Sequence, residues 1–284
     1  MIYKTVIVKY LIMLKMRISV KNNNCIKVLS LLLIILLSVS YLLHAQSAPE
    51  RMDLYLLVGQ SNMAGRGKLA ETSEQKNENI WVINAKNEWG IAKDPLHYDK
   101  PAAVGVGPGL SFANVISARY PETKIGLIPC AVGGSGIDDW VAGVKHAQTG
   151  IYPYDAMLAR VKEAQKHGKV KGIIWHQGES DSSPEKSAVY EQKLTAFFET
   201  LRKETDTKKV PLILGTLGDF YVSKRPEASK INQIMHDYAS RHKHVYVVSS
   251  SGLTDLGDGT HFNTQSAQEL GKRYAEMFLK VTGK

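Results

Sequence analysis

Four short clusters in this 284-residue chain hold residue types that could combine acid–base and nucleophilic chemistry. The first is Gly59-Gln60-Ser61-Asn62-Met63-Ala64-Gly65. Glycines beside a serine allow a tight turn that presents the hydroxyl to a cleft, where a neighbouring base can activate it. It is not the Gly-x-Ser-x-Gly elbow, because Met63 stands where the last glycine would be. The second is Cys130-Ala131-Val132-Gly133-Gly134-Ser135-Gly136. Its glycines let backbone N–H groups approach a ligand oxygen, as an oxyanion hole or anion nest requires. A phosphate loop would want a lysine next, and Ile137-Asp138-Asp139 follows instead.

The third cluster is Trp175-His176-Gln177-Gly178-Glu179-Ser180-Asp181. Burying so many polar groups is costly unless they find partners, so they imply a network or a site. The Gln177 amide is a candidate donor to a developing negative oxygen, and Glu179 and Asp181 are candidate orienting acids. His176 with Asp181 forms one possible His–acid pair. The fourth cluster, Asp258-Gly259-Thr260-His261-Phe262, offers another. Three-residue spacing at a helix start puts Asp258 and His261 on one side, so that Asp258 can hold one imidazole nitrogen and leave the other for Ser61. With no Cys pair and no His-x-x-x-His, a metal site lacks ligands, and no metal or cofactor is expected.

These clusters need elements to position them. Strand-like apolar runs fall at 53–58, 80–83, 124–128, 170–175, 210–214 and 244–248, and helical periodicity at 110–119, 154–167, 184–202, 229–241 and 266–281. Short, nearly continuous apolar strands alternating with helices predict an α/β fold, a mostly parallel sheet covered on both faces. Ligands of such sheets bind beyond the carboxyl ends of the strands, where each cluster falls. In Gly105–Gly109, Pro108 is read as opening the following helix. No repeat or linker interrupts the pattern.

Composition narrows the function. Lys4, Lys9, Lys15, Arg17, Lys21 and Lys27 precede a run from Val28 to Leu43 that is almost wholly apolar, followed by His44-Ala45-Gln46-Ser47-Ala48. This order predicts a signal peptide over 1–45, cleaved after Ala45, with Met1 or Met16 as the start. The apolar run is shorter than the roughly 20 residues that span a bilayer, so no stable membrane insertion is expected after cleavage. Of 36 Lys+Arg against 27 Asp+Glu, six basic residues and no acids lie in this leader. The remaining 46–284 is nearly balanced, which removes the support for a nucleic-acid partner. It keeps only Cys130, so it has no internal disulfide and must rest on its core.

Taken in order, GQSNMAGRG at 59–67, GGSGIDDW at 133–140, WHQGESD at 175–181 and DGTHF at 258–262 resemble the SGNH (GDSL-like) hydrolase superfamily. The likeness is to its branch of carbohydrate esterase family six and sialate O-acetylesterase-like proteins. It implies a three-layer αβα sandwich with a central, mostly parallel sheet of flavodoxin-like type, in a single esterase domain over 46–284. Carried over, it implies Ser61 as nucleophile, His261 as base and Asp258 as its acid, with Glu179 as the alternative acid. The implied oxyanion donors are the backbone N–H of Ser61, the backbone N–H of Gly134 and the side-chain amide of Gln177, where the superfamily at large has Asn. Arg66, Asp138, Asp139 and Trp140 are candidates for sugar contact.

The expected function is an exported O-acetylesterase acting on acetylated xylan, another glycan or sialic acid, through an acetyl-enzyme on Ser61. A broader acyl-ester or lipid hydrolase would use the same triad. A carbohydrate-binding protein without turnover would have no need of Ser61, Asp258, His261 and Gln177 together.

Overall fold

A computed structural model of the protein describes residues 30–34, 49–71 and 76–283. The signal peptide expected over 1–45 and its expected cleavage site lie outside the described residues, apart from a helical stretch at 30–34. Contacts divide the chain into two units, Met1–Ser47 and Ala48–Lys284. Among the described residues no helix is long and apolar enough to cross a membrane.

The second unit is built on seven strands: β1 (Met52–Gly59), β2 (Ile80–Ile83), β3 (Trp89–Ile91), β4 (Ile125–Pro129), β5 (Gly168–His176), β6 (Leu212–Gly215) and β7 (Val245–Val248). They form one sheet in the order β3-β2-β4-β1-β5-β6-β7, all parallel except β3 against β2. The five strands β4-β1-β5-β6-β7 keep the 2-1-3-4-5 order of a flavodoxin-like sheet. The β2–β3 hairpin extends its outer edge. Sequence periodicity misses β3, because three residues after the turn at Asn84–Glu88 are too few to show alternation.

Strand alternation sorts the core into two layers. Leu54, Leu56 and Val58 of β1 face one side with Ile173 and Trp175 of β5 and Leu212 and Leu214 of β6. That side is covered by three helices, α3 (Pro153–Ala164), α4 (Pro184–Glu204) and α6 (Pro226–Arg241), through residues such as Met157, Leu194 and Met235. Tyr55 and Leu57, Ile174 and Ile213 face the other side, beneath α2 (Pro108–Arg119) and α7 (Thr264–Thr282). Both faces are therefore buried, which is why these strands read as continuous apolar runs. Two four-residue helices, α1 (Ser61–Ala64) and α5 (Asp219–Val222), complete the set. Pro108 is the first residue of α2, where its missing N–H costs nothing.

Helices α2 and α7 lie close together at Gly271, where an added Cβ would be 2.1 Å from Ser111 Oγ and 2.2 Å from Pro108 O. The amino end of α7, just after His261, lies against Gly67 in the segment that follows Ser61, where an added Cβ would be 2.8 Å from Thr264 Cα. After β1 the chain builds one side of the sheet through β2, β3 and β4 and then crosses from β4 to β5 on the other side of β1, so the topological switch lies between the ends of β1 and β5. Gly59 and His176 are paired residues at those ends.

Candidate active site

Ser61 follows β1 as the first residue of α1 and is 6% exposed. The turn into it needs Gly59, whose φ is 139° and whose added Cβ would lie 2.1 Å from the carbonyl oxygen of His176. With no side chain there, β1 and β5 run together to their last residues, and the Gln60 N–H donates to His176 O at 2.9 Å. The serine is thereby fixed at the switch point.

His261 arrives from the loop before α7. Its Nε2 lies 2.9 Å from Ser61 Oγ, and its Nδ1 lies 2.6 Å from Asp258 Oδ2. Asp258 also accepts the backbone N–H groups of Thr260 and His261, both at 2.8 Å. Partial burial opposes its ionisation, but the hydrogen bonds from the His261 N–H, the His261 ring and the Thr260 N–H prevail and hold its carboxyl below the usual range. A proton on Nδ1 satisfies this carboxylate and leaves Nε2 as acceptor for the serine hydroxyl. The geometry can therefore withdraw a proton from Ser61.

The rival histidine is elsewhere. His176 is fully buried, its Nδ1 is 3.0 Å from the Tyr274 hydroxyl, and desolvation lowers its pKa to about 3. It is a neutral core residue. Glu179 does not contact His261 among the described hydrogen bonds. Its Oε1 accepts from Asn62 Nδ2 at 2.5 Å, and Oε2 has no partner among the described residues. Burial raises its pKa to about 7 against the opposing Asn62 bond. Asn62 also donates to Thr260 O and accepts from the Phe262 N–H, both at 3.0 Å. The Glu179–Asn62 pair thus straps the His261 loop to the residue after the serine. In the sequence Asn62 is visible only as a part of its cluster, since an asparagine after a turn serine carries no pattern of its own.

The glycine-rich loop after β4 lies beside these groups. Gly133 N–H donates to Asp99 Oδ2 at 2.6 Å, and Asp99 pairs with Arg66 at 3.3 Å. The N–H groups of Ser61 and Gly134 have no acceptor among the described residues. Gln177 differs from the expectation of a third oxyanion donor. It is fully buried, and its Nε2 lies near three acceptors: Asp181 Oδ2 at 2.5 Å, Ser135 O at 3.1 Å and Gln60 Oε1 at 3.3 Å. Two hydrogens cannot serve more than these, and Tyr190 donates to its Oε1 at 2.9 Å. Asp181 in turn accepts the Ile137 N–H at 2.9 Å. Gln177 and Asp181 therefore brace the 133–137 loop from beneath.

The sugar-contact candidates also separate. Trp140 is 1% exposed, packs edge-on against Trp175 and donates to Ser135 Oγ, so no ring face remains for a pyranose. A large apolar ring after a glycine loop gains more by filling the core under α4. Asp138 is exposed and pairs with Lys193 on α4 at 2.5 Å. Asp139 accepts the Gly136 N–H at 2.8 Å, capping the turn at Ile137–Asp139. Arg66 adjoins the first glycine of the site loop, where an added Cβ on Gly133 would meet its Nη2.

Two predictions follow from this wiring. Gln177→Ala leaves the Asp181 carboxyl, Ser135 O and the Tyr190 hydroxyl short of partners, and is expected to lower unfolding free energy by about 1–3 kcal/mol in chemical denaturation. An unchanged denaturation midpoint with turnover down about 10²–10³-fold would instead return the amide to the oxyanion hole. Glu179 binds its proton more tightly folded than unfolded, so its contribution is full below pH 4.5 and is lost as pH rises through about 7. Glu179→Gln is expected to remove this loss, gaining on the order of 3 kcal/mol on wild type between pH 5 and 8. A constant difference across that range contradicts the buried proton.

Comparison with known proteins identifies the family. The family described as "Carbohydrate esterase, sialic acid-specific acetylesterase" matches residues 51–280. A probable carbohydrate esterase of Arabidopsis thaliana, At4g34215, is 30% identical over 256 residues, covering 82% of this chain and 93% of that protein. The crystal structure of the Arabidopsis thaliana protein AT4G34215 superposes with a TM-score of 0.72 at 27% identity, covering 80% of this chain and 98% of that one. NanS shares the fold with a TM-score of 0.67 at 17% identity, covering 83% and 99% of the two chains. The protein described here belongs to the carbohydrate esterase, sialic acid-specific acetylesterase family, and is a carbohydrate acetylesterase of SGNH-like fold.

Proposed function

We propose that the protein is an exported serine esterase that removes O-acetyl groups from carbohydrate through an acetyl-enzyme on Ser61. The single observation that carries this reading is the unbroken chain Ser61 Oγ–His261 Nε2, His261 Nδ1–Asp258 Oδ2, at 2.9 and 2.6 Å. In a short acid–base–nucleophile chain of this kind, the imidazole takes the hydroxyl proton as oxygen attacks the acetyl carbonyl. The tetrahedral oxyanion is received by the N–H groups of Ser61 and Gly134, both free of internal acceptors among the described residues. His261 returns the proton to the departing sugar oxygen. Water then attacks the acetyl-enzyme with His261 again as base, releasing acetate.

Asp258 is the acid in this reading. It alone of the two candidates bonds the His261 ring, while Glu179 braces the loop. The substrate is an acetyl ester of a glycan or of sialic acid, with the sugar set by residues at the cleft rim. Export rests on the basic, apolar and small-residue order of residues 1–45, and the mature domain on 46–284.

Acetate release from acetylated xylo-oligosaccharides and O-acetylated sialic acid measures the activity. Ser61→Ala is expected to abolish it, and Asp258→Asn to lower kcat by about two to four orders of magnitude with the fold retained. Full activity of Ser61→Ala would end the serine mechanism. The exported form is expected to begin at Gln46 by intact mass, and a retained leader would contradict cleavage after Ala45.

A further inference from the structure

The outer side of Gly134 is covered by a residue from a different segment. A Cβ at Gly134 would lie 3.0 Å from Gln148 Oε1 and 3.4 Å from its Cδ and Nε2, so the carboxamide rests against the glycine. Gln148 is carried by residues 141–152, which contain no helix or strand and are braced from within. The His146 N–H donates to Ile151 O at 2.8 Å, the Gly150 N–H to His146 O at 2.9 Å, and the buried His146 ring meets Thr149 Oγ1 at 2.9 Å. The Gly143 N–H is held by Asp155 at the start of α3. These bonds fix the backbone on both sides of Gln148.

The side chain is held at one end only. Lys100 Nζ donates to Gln148 Oε1 at 2.8 Å. Gln148 is exposed, and its Nε2 has no acceptor among the described residues. Neighbouring residues thus grip the loop system from two directions, Asp99 through the Gly133 N–H and Lys100 through Gln148. The acetyl group is small and must reach inward to Ser61, so the part of the substrate that passes the solvent-facing side of Gly134 is the sugar. A planar amide with two unused donors is suited to hydroxyl or ring oxygens.

We propose that Gln148 is a substrate-contacting residue, donating from Nε2 to an oxygen of the acetylated sugar, with Lys100 as the positioning residue that aims it. The assignment rests on the esterase reading above and adds a specificity determinant to it. It distinguishes a carbohydrate ester, which has hydroxyl and ring oxygens beside the acetyl group, from a simple aryl acetate, which has neither.

The test is steady-state kinetics of wild type, Gln148→Ala and Lys100→Met on acetylated xylo-oligosaccharides, O-acetylated sialic acid and 4-nitrophenyl acetate. Gln148→Ala is expected to raise KM for at least one acetylated sugar about five- to tenfold, the loss of one hydrogen bond, with kcat within about twofold. Its kinetics on 4-nitrophenyl acetate and its thermal midpoint should match wild type. Lys100→Met should shift the same KM to a smaller extent. An equal loss on sugar ester and 4-nitrophenyl acetate, or an unchanged KM on every sugar, overturns the assignment alone. A wild-type protein inactive on all three substrates overturns the esterase reading and this assignment with it.

Discussion

The arrangement depends on one side chain that performs no chemistry. Asn62 donates to Glu179 and to Thr260 O and accepts from the Phe262 N–H, so one carboxamide joins the turn after β1, the segment after β5 and the loop before α7. Its partners lie 117 to 200 positions from it in the chain. An irregular loop on its own samples many conformations, and ordering each residue costs on the order of 1–2 kcal/mol. Bonds placed on either side of His261 keep its ring within reach of Ser61, with the Leu256 N–H to His261 O bond closing the loop internally. The buried Glu179 is tolerable because Asn62 is its partner, and Asn62 is useful because Glu179 holds it in place.

A second layer of wiring does the same for the opposite wall of the cleft. Gln177, Asp181 and Ser180 reach up from the end of β5 to Ser135 O, the Ile137 N–H and Gly134 O, while Asp99 takes the Gly133 N–H from the side. The glycine loop is thus held by side chains, while its Gly134 N–H has no acceptor among the described residues. The polar side chains that crowd the end of β5 each find at least one partner among the described residues, as their burial demands.

Much of this was legible from residue order, and the parts that were not share a cause. The alternation of Leu54, Leu56 and Val58 with Tyr55 and Leu57 announces a strand buried on both faces, and the layers follow. The spacing of Asp258 and His261 foretells their contact, because three residues on a tight turn can hardly avoid it. Trp140, Gln177 and Gln148 were not legible in this way. Whether a Trp after a glycine loop faces sugar or core depends on the space under α4. Whether a buried amide keeps a free hydrogen depends on Asp181, four residues on. Gln148 lies in a stretch without periodicity, and only the folded path brings it to Gly134. β3 is hidden in the sequence for a different reason, its brevity.

The central claim is that the imidazole at 261 makes the hydroxyl at 61 nucleophilic. A fluorophosphonate probe followed by peptide mass spectrometry tests it most directly, since only an activated serine is phosphonylated at a useful rate. The account predicts one adduct per chain, on Ser61, and labelling slowed by orders of magnitude in His261→Ala. Labelling at a different serine, or at Ser61 with undiminished rate in the absence of the imidazole, would contradict it.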